Sequence, residues 1–211
     1  MRKTFLSLAV LVLLASPAFA GEKSKFNKKV NIGDKAPTFA GIPATTPKGE
    51  EASLSLKDIK EDVVVLVFLA NHCPVVVRSE DRIQQLVDDM KGKSVKVVAV
   101  AVSGGGSRDT DNLDKIKARL KPGEKSFNYT YGFDETQQIG RDYGAYATPQ
   151  VFVLDKARTI RYMGSLDDSP NDEKSVTKTY AKDAVAALLA GKDIELTETK
   201  PIGCGITYDR K

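Results

Sequence analysis

Residues 63–83 read VVVLVFLANHCPVVVRSEDRI, and the change of period inside this stretch decides the fold. Val63 to Leu69 is a continuous apolar, β-branched run, as expected of a strand buried on both faces. After Pro74 the apolar positions move to Ile83, Leu86, Val87 and Met90, the i, i+3, i+4, i+7 spacing of one helix face, with Gly92 available to close it. A second apolar run, VKVVAVAV from Val95 to Val102, predicts another buried strand, so the three elements form a right-handed βαβ unit.

Working outward, SGGGSRDTD follows the second strand and leads into a helix expected over Asn112 to Leu120, stopped by Pro122-Gly123. The three glycines are not followed by the Lys-Ser/Thr of a phosphate-binding loop, so they read as a flexible connection. DETQQIGRDYG predicts a short helix ending at Gly144. VFVLD and TIRYMG predict an antiparallel hairpin. A last helix is expected from Val176 to Ala190, with Tyr180, Ala184 and Leu188 on one face and Gly191 as its cap. The sum is an α/β domain, a mixed sheet with helices on both faces and a hairpin at one edge.

At the amino end, Arg2 and Lys3, an apolar stretch from Phe5 to Ala15, and Ala18-Phe19-Ala20 have the form of a cleavable export signal cut after Ala20. The expected organisation is thus signal 1–20, basic arm 21–30, domain 31–192 and tail 193–211. Removing 20 residues from 211 leaves 191, enough for one sizeable core. The formal charge is +4, and loss of Arg2 and Lys3 brings it to +2, which gives no case for a nucleic-acid partner. Lys23, Lys25, Lys28 and Lys29 read as a solvated arm. No later stretch has the ~20 apolar residues of a membrane span. An exported chain, secreted or periplasmic, keeps its thiols where disulfides persist, and Cys73 and Cys204 are the only two. A structural disulfide, a catalytic pair and two free thiols are all open readings.

Cys73 sits where the first strand gives way to the helix, at the rim where α/β proteins bind ligands. Unpaired N–H groups and the positive helix end favour a thiolate there, lowering the pKa from about 8.5 towards roughly 3.5–7.5. Pro74 fits the first helical turn, where its missing N–H costs nothing. The bland alternative is a small buried hydrophobe at a strand end. His72, the chain's one histidine, reads as a tuning or packing residue rather than a base or metal ligand. Thr148-Pro149 directly precedes a predicted strand. Taken alone it is expected to be trans, since only about one X–Pro bond in twenty is cis.

Taken together, NIGDKAPTF at 31–39, the run LSLKDIKEDVVVLVFLANHCP into Cys73, DETQQIGRDYGAYATPQVFVLD, GSLDDS, LLAGKDI and Gly203-Cys204 resemble the redoxin group of the thioredoxin-fold superfamily, which includes thiol-specific antioxidant and peroxiredoxin-like proteins. The likeness runs from about residue 31 to 208. It implies a thioredoxin-like fold, Pro149 cis beside Cys73, and an antioxidant or thiol–disulfide oxidoreductase function. Three departures accompany it. Leu66 and Ala70 stand where a typical peroxiredoxin has Pro and Thr, Ala147-Thr148 stands where its Arg is usual, and Val76 replaces the second Cys of a C-x-x-C.

The resemblance therefore implies Cys73 as nucleophile, with Cys204, a small thiol or another protein as its partner. His72, Pro74, Thr148 and Pro149 would tune the thiolate or bind substrate. The substrate would be a peroxide or a protein disulfide, with an external thiol as electron donor and no cofactor or metal. A bridge between positions 131 apart would contribute roughly 5 kcal/mol by the loop-entropy model, which also suits a static staple in a non-catalytic binding module. A copper carrier using Cys73, Cys204 and His72 is the remaining rival.

Overall fold

The computed structural model describes residues 23–104, 108–121, 123–124 and 126–210. The expected signal, the cut after Ala20, the glycines at 105 and 106, and Pro122 lie outside the described residues.

The elements are β1 (Ile42–Thr45), β2 (Glu51–Leu54), β3 (Val63–Phe68), α1 (Pro74–Asp89), β4 (Val95–Ala101), α2 (Arg108–Asp111), α3 (Leu113–Ala118), β5 (Thr130–Phe133), α4 (Gln138–Tyr143), β6 (Ala147–Thr148), β7 (Gln150–Leu154), β8 (Ile160–Gly164), α5 (Tyr180–Leu189) and β9 (Cys204–Gly205). Seven strands form one mixed sheet in the order β2-β1-β5-β4-β3-β7-β8, while β6 and β9 pair separately. β3 and β4 are parallel, in the register Val63 opposite Val95 to Phe68 opposite Val100, as the βαβ reading predicts. β7 and β8 form the expected antiparallel hairpin at the edge. The arrangement is thioredoxin-like, as the resemblance implies.

Alternation along β3 divides the core in two. Val63, Val65 and Val67 face a layer built from Val76, Ile83 and Leu86 of α1, Ile116 of α3 and Ala181, Ala184 and Val185 of α5. Val64, Leu66 and Phe68 face Ile139 and Tyr143 of α4 together with Val30, Phe39 and Leu56 from the amino-terminal segment. Every β3 residue is buried, which explains an apolar run without a polar partner at alternate positions. Each such side chain withdrawn from water contributes on the order of 1.5–3 kcal/mol before entropy is charged.

Several expectations need correction. The last helix begins at Tyr180 rather than Val176, because the Asp168 carboxylate accepts from the N–H groups of Thr177 and Lys178 and from the Thr177 hydroxyl, holding these residues out of helical backbone. The helix expected at 112–120 is α3, with Asn112 capping it through the Lys115 N–H at 3.0 Å. The arm at 21–30 is more than solvated charge. Its lysines are exposed, but Asn27 is buried, donates to Tyr143 O at 2.8 Å and accepts from Lys29 N. The tail at 193–211 is docked along most of its length. The strands β1, β2 and β5 fall outside the elements expected from the pattern.

Candidate redox site

The chain leaves β3 through Leu69 and Ala70, and Cys73 N–H closes the turn on Ala70 O at 3.1 Å. Cys73 is the N-cap of α1 with Pro74 at the first helical position, so the thiol is where the sequence puts it, at the start of a 16-residue helix. It is fully buried. Its Sγ lies 3.1 Å from Thr148 O, and the Thr148-Pro149 bond is cis, as the resemblance and not the dipeptide alone implies. Two influences of opposite sign meet on this sulfur. The helix start favours a thiolate, and the Thr148 carbonyl favours a thiol able to donate to it.

The second thiol comes from the other end of the chain. β9 pairs antiparallel with β6, placing Cys204 opposite Thr148 and Gly205 opposite Ala147. Cys73 and Cys204 are joined as a disulfide, with Cα atoms 5.8 Å apart, inside the usual span. Gly203 makes this approach feasible, since a Cβ there would lie 2.0 Å from Thr148 O. Behind β6, the Gln150 side chain accepts from Tyr146 N at 3.0 Å and Ala147 N at 3.4 Å, fixing the loop that leads into Pro149. The crevice between Val75, Ser79, Pro149 and Ile202 is about 10 Å³, room for no more than a water.

The tail is held on both sides of Cys204. Before it, Thr199 N–H donates to Met163 O at 3.1 Å and the Ser165 hydroxyl to Lys200 O at 3.0 Å. After it, Gly104 N–H and the Gln137 amide both donate to Thr207 O at 2.9 Å. The Tyr208 hydroxyl donates to Ala145 O at 2.7 Å under the Arg141 guanidinium, which stands 4.7 Å over the ring. Arg141 also donates to Asp209 O at 2.6 Å.

His72 points its Nδ1 at Asp111 Oδ2, 2.5 Å away, and is about one-third exposed, whereas the Asp111 side chain is fully buried. A carboxylate at this distance orients the imidazole through its Nδ1. Asp111 also accepts from Asn71 N–H at 2.5 Å. Burial pushes its carboxyl above the usual range, and His72 pulls it back. Asn71 in turn accepts from Arg119 at 3.0 Å, and Arg119 pairs with buried Glu80 of α1. Asp111, Arg119 and Glu80 went unnoticed in the sequence. The available signal was position, since Asp111 follows β4 on the rim that carries Cys73. Among the described residues, no three His, Cys, Asp or Glu side chains are grouped so as to hold a metal ion.

The structure thus brings together Cys73, Cys204, Pro74, Thr148 and Pro149, with His72 turned to Asp111 alongside. The family model described as the AhpC/TSA family matches residues 32–163. The thiol-disulfide oxidoreductase ResA of Oceanobacillus iheyensis is 30% identical over 105 residues, 49% of this chain and 54% of that one, so the chain spans about half the length of this curated relative. A solved hypothetical protein from Sinorhizobium meliloti 1021 superposes with a TM-score of 0.75 at 28% identity, covering 88% of this chain and 98% of the other. An uncharacterized conserved protein from Geobacillus kaustophilus does so at 0.73 and 30%, covering 85% and 93%.

Proposed function

We propose that this chain, which belongs to the AhpC/TSA family, is an exported thiol–disulfide oxidoreductase whose working couple is Cys73 and Cys204. The observation that carries the reading is the pairing of a helix-capping Cys73 with Cys204 across the cis-Pro149 loop. In the reducing direction, the Cys73 thiolate attacks one sulfur of a substrate disulfide. That bond breaks, and one substrate thiolate leaves and is protonated. Cys204, as thiolate, then attacks Cys73 in the mixed disulfide and expels the second substrate thiol. Two electrons pass to the substrate and the Cys73–Cys204 bond is made.

Disulfide exchange is preferred to peroxide reduction on two grounds. Leu66 and Ala70 are apolar and buried where a peroxidase of this family has Pro and Thr, and the curated relative is named a thiol-disulfide oxidoreductase. Peroxide reduction is the second reading, favoured by the family itself. There Cys73 would become a sulfenic acid that Cys204 condenses with to form the same bridge, releasing water.

The test is steady-state turnover of an insulin-type disulfide, hydrogen peroxide and an alkyl hydroperoxide by the reduced protein and by Cys73→Ser. Disulfide turnover that disappears in the variant is expected. A faster peroxide reaction would transfer the assignment to the second reading, and a bridge potential below about −300 mV with no turnover would make the disulfide a static staple. Export rests on the form of residues 1–20. Amino-terminal sequencing of the mature protein should begin at Gly21, and an intact Met1 would overturn it.

A further inference from the structure

Resting on the reading of Cys73 and Cys204 as the working couple, we infer that Gln137 is the positioning residue of Cys204. Its side-chain amide holds the tail against the end of β4, in the dithiol form as well as the bridged one. Gln137 stands out first by its backbone. It is the N-cap of α4 with φ 60° and ψ 9°, left-handed backbone that a residue with a Cβ seldom adopts, and its side chain makes no capping hydrogen bond. Such a conformation persists where the surroundings over-determine it. Here the side chain is turned to the tail.

Gln137 is 2% exposed. Its Nε2 donates to Val102 O, just past β4, and to Thr207 O, both at 2.9 Å, and its Oε1 accepts from Asp209 N–H at 2.8 Å. Arg141 donates to the same Oε1 at 3.4 Å. Two carbonyls at one end and two N–H donors at the other leave the amide a single orientation. Thr207 O and Asp209 N–H flank Tyr208, so one side-chain amide gives the tail the donor and the acceptor that the peptide groups of a neighbouring strand would. Gly104 makes room for it. A Cβ there would lie 2.5 Å from Gln137 Nε2, and Gly104 N–H is the second donor to Thr207 O.

The place of this clip along the chain gives it a consequence for the thiols. Thr207 lies three residues beyond Cys204, and Lys200, held by the Ser165 hydroxyl, lies four before it. With both ends held, Cys204 stays opposite Thr148 in the β6–β9 ladder. With Lys200 alone as a hinge, the four residues to Cys204 would let it range over ~14 Å. The local concentration of one thiol at the other sets how readily the bridge closes. None of the bonds made by Gln137 involves a sulfur, so opening the bridge removes none of them.

The test equilibrates the full chain with mixtures of reduced and oxidised glutathione. The Cys73–Cys204 bond forms as the glutathione disulfide bond breaks, and two electrons and two protons pass from the protein thiols to two glutathione molecules. The equilibrium constant for the bridge should fall about tenfold in Gln137→Ala and in Gln137→Met alike, since both lose the bonds to Thr207 and Asp209. Met fills the space of Gln without donor or acceptor, so a role in packing alone would spare Gln137→Met. By NMR, the Asp209 amide of the dithiol wild type should be protected from hydrogen exchange and should lose that protection in both variants. A wild-type constant in Gln137→Met, or an unprotected Asp209 amide in the dithiol wild type, would overturn the assignment and leave the couple standing. Should both variants fail to fold, the Asp209 amide of the wild type decides alone. A wild-type chain that forms no bridge at any glutathione ratio would overturn the couple itself, and the assignment with it.

Discussion

Thr148 and Cys204 face each other in a two-residue antiparallel ladder, one position before the cis bond to Pro149. The ladder makes the carboxy-terminal segment an added strand at the edge of the redox loop, and its closeness depends on what residue 203 lacks.

Gly203→Ala should therefore disturb the site more than any other change of one methyl group in the tail. Its Cβ would meet Thr148 O at 2.0 Å and Thr148 C at 2.6 Å, both backbone atoms that cannot swing aside. Overpacking of this kind costs about 1–3 kcal/mol. Thermal melts of the oxidised protein and titration of free thiols should show lower stability and incomplete bridging. Gly205→Ala, with open space at its Cβ, should match wild type in both assays.

Tyr208 secures the tail beyond the ladder through its hydroxyl on Ala145 O. Tyr208→Phe removes that bond, which is worth about 1 kcal/mol net. The equilibrium between the Cys73–Cys204 bridge and glutathione should shift about fivefold towards the open form. Helical content by circular dichroism should not change. An unshifted equilibrium would mean that the anchor does nothing to hold Cys204 near Cys73.

Glu80 and Arg119 form an ion pair beneath the turn that carries Asn71 and His72, with side chains 3% and 15% exposed. Removing one partner leaves the other's charge buried. Glu80→Ala should cost about 3 kcal/mol in chemical denaturation, most of it from the stranded guanidinium. Arg119→Met combined with Glu80→Met should recover much of that loss.

Asp168 caps the stretch before α5, and its bonds to Thr177 and Lys178 lower its pKa from the ordinary 3.8 to about 2. A carboxylate with a depressed folded value stabilises the fold above its unfolded pKa, and that contribution fades as pH falls through the folded one. The stability difference between wild type and Asp168→Asn should thus be fully present above about pH 4 and close as pH approaches 2. Urea midpoints across that window measure it.

Much of the fold was legible where pattern and burial agree. Val63–Leu69 and Val95–Val102 announce central strands because both faces are covered, and Gly144 ends α4 in left-handed backbone as a helix-closing glycine should. The strands β1, β2 and β5 were illegible because each has only four residues, with Pro43 interrupting one and Gly132 another, and none in β2 is β-branched. At the site, Cys73 and Pro149 could be placed from local position and family likeness. The docking of the tail could not, since it depends on Gly203, Gly140 and Gly104 offering bare backbone to partners far along the chain. At Gly140 a Cβ would stand 2.4 Å from the Tyr208 hydroxyl. Glycine spacing of that kind leaves no periodic trace. Asp111 was hidden for a related reason, as its importance comes from being buried against His72 rather than from any motif.

The bridge described above also changes the molecule's mechanics. With Cys73 and Cys204 joined, 131 residues' worth of chain, including β4, β5, β7 and β8, sit in a covalent loop that tension on the two ends cannot draw out. At up to ~3.6 Å per residue, about 470 Å of contour length is withheld until the bond opens. The oxidised and reduced chains are therefore two objects of very different extensibility, and a single thiol exchange at the rim of the sheet converts one into the other.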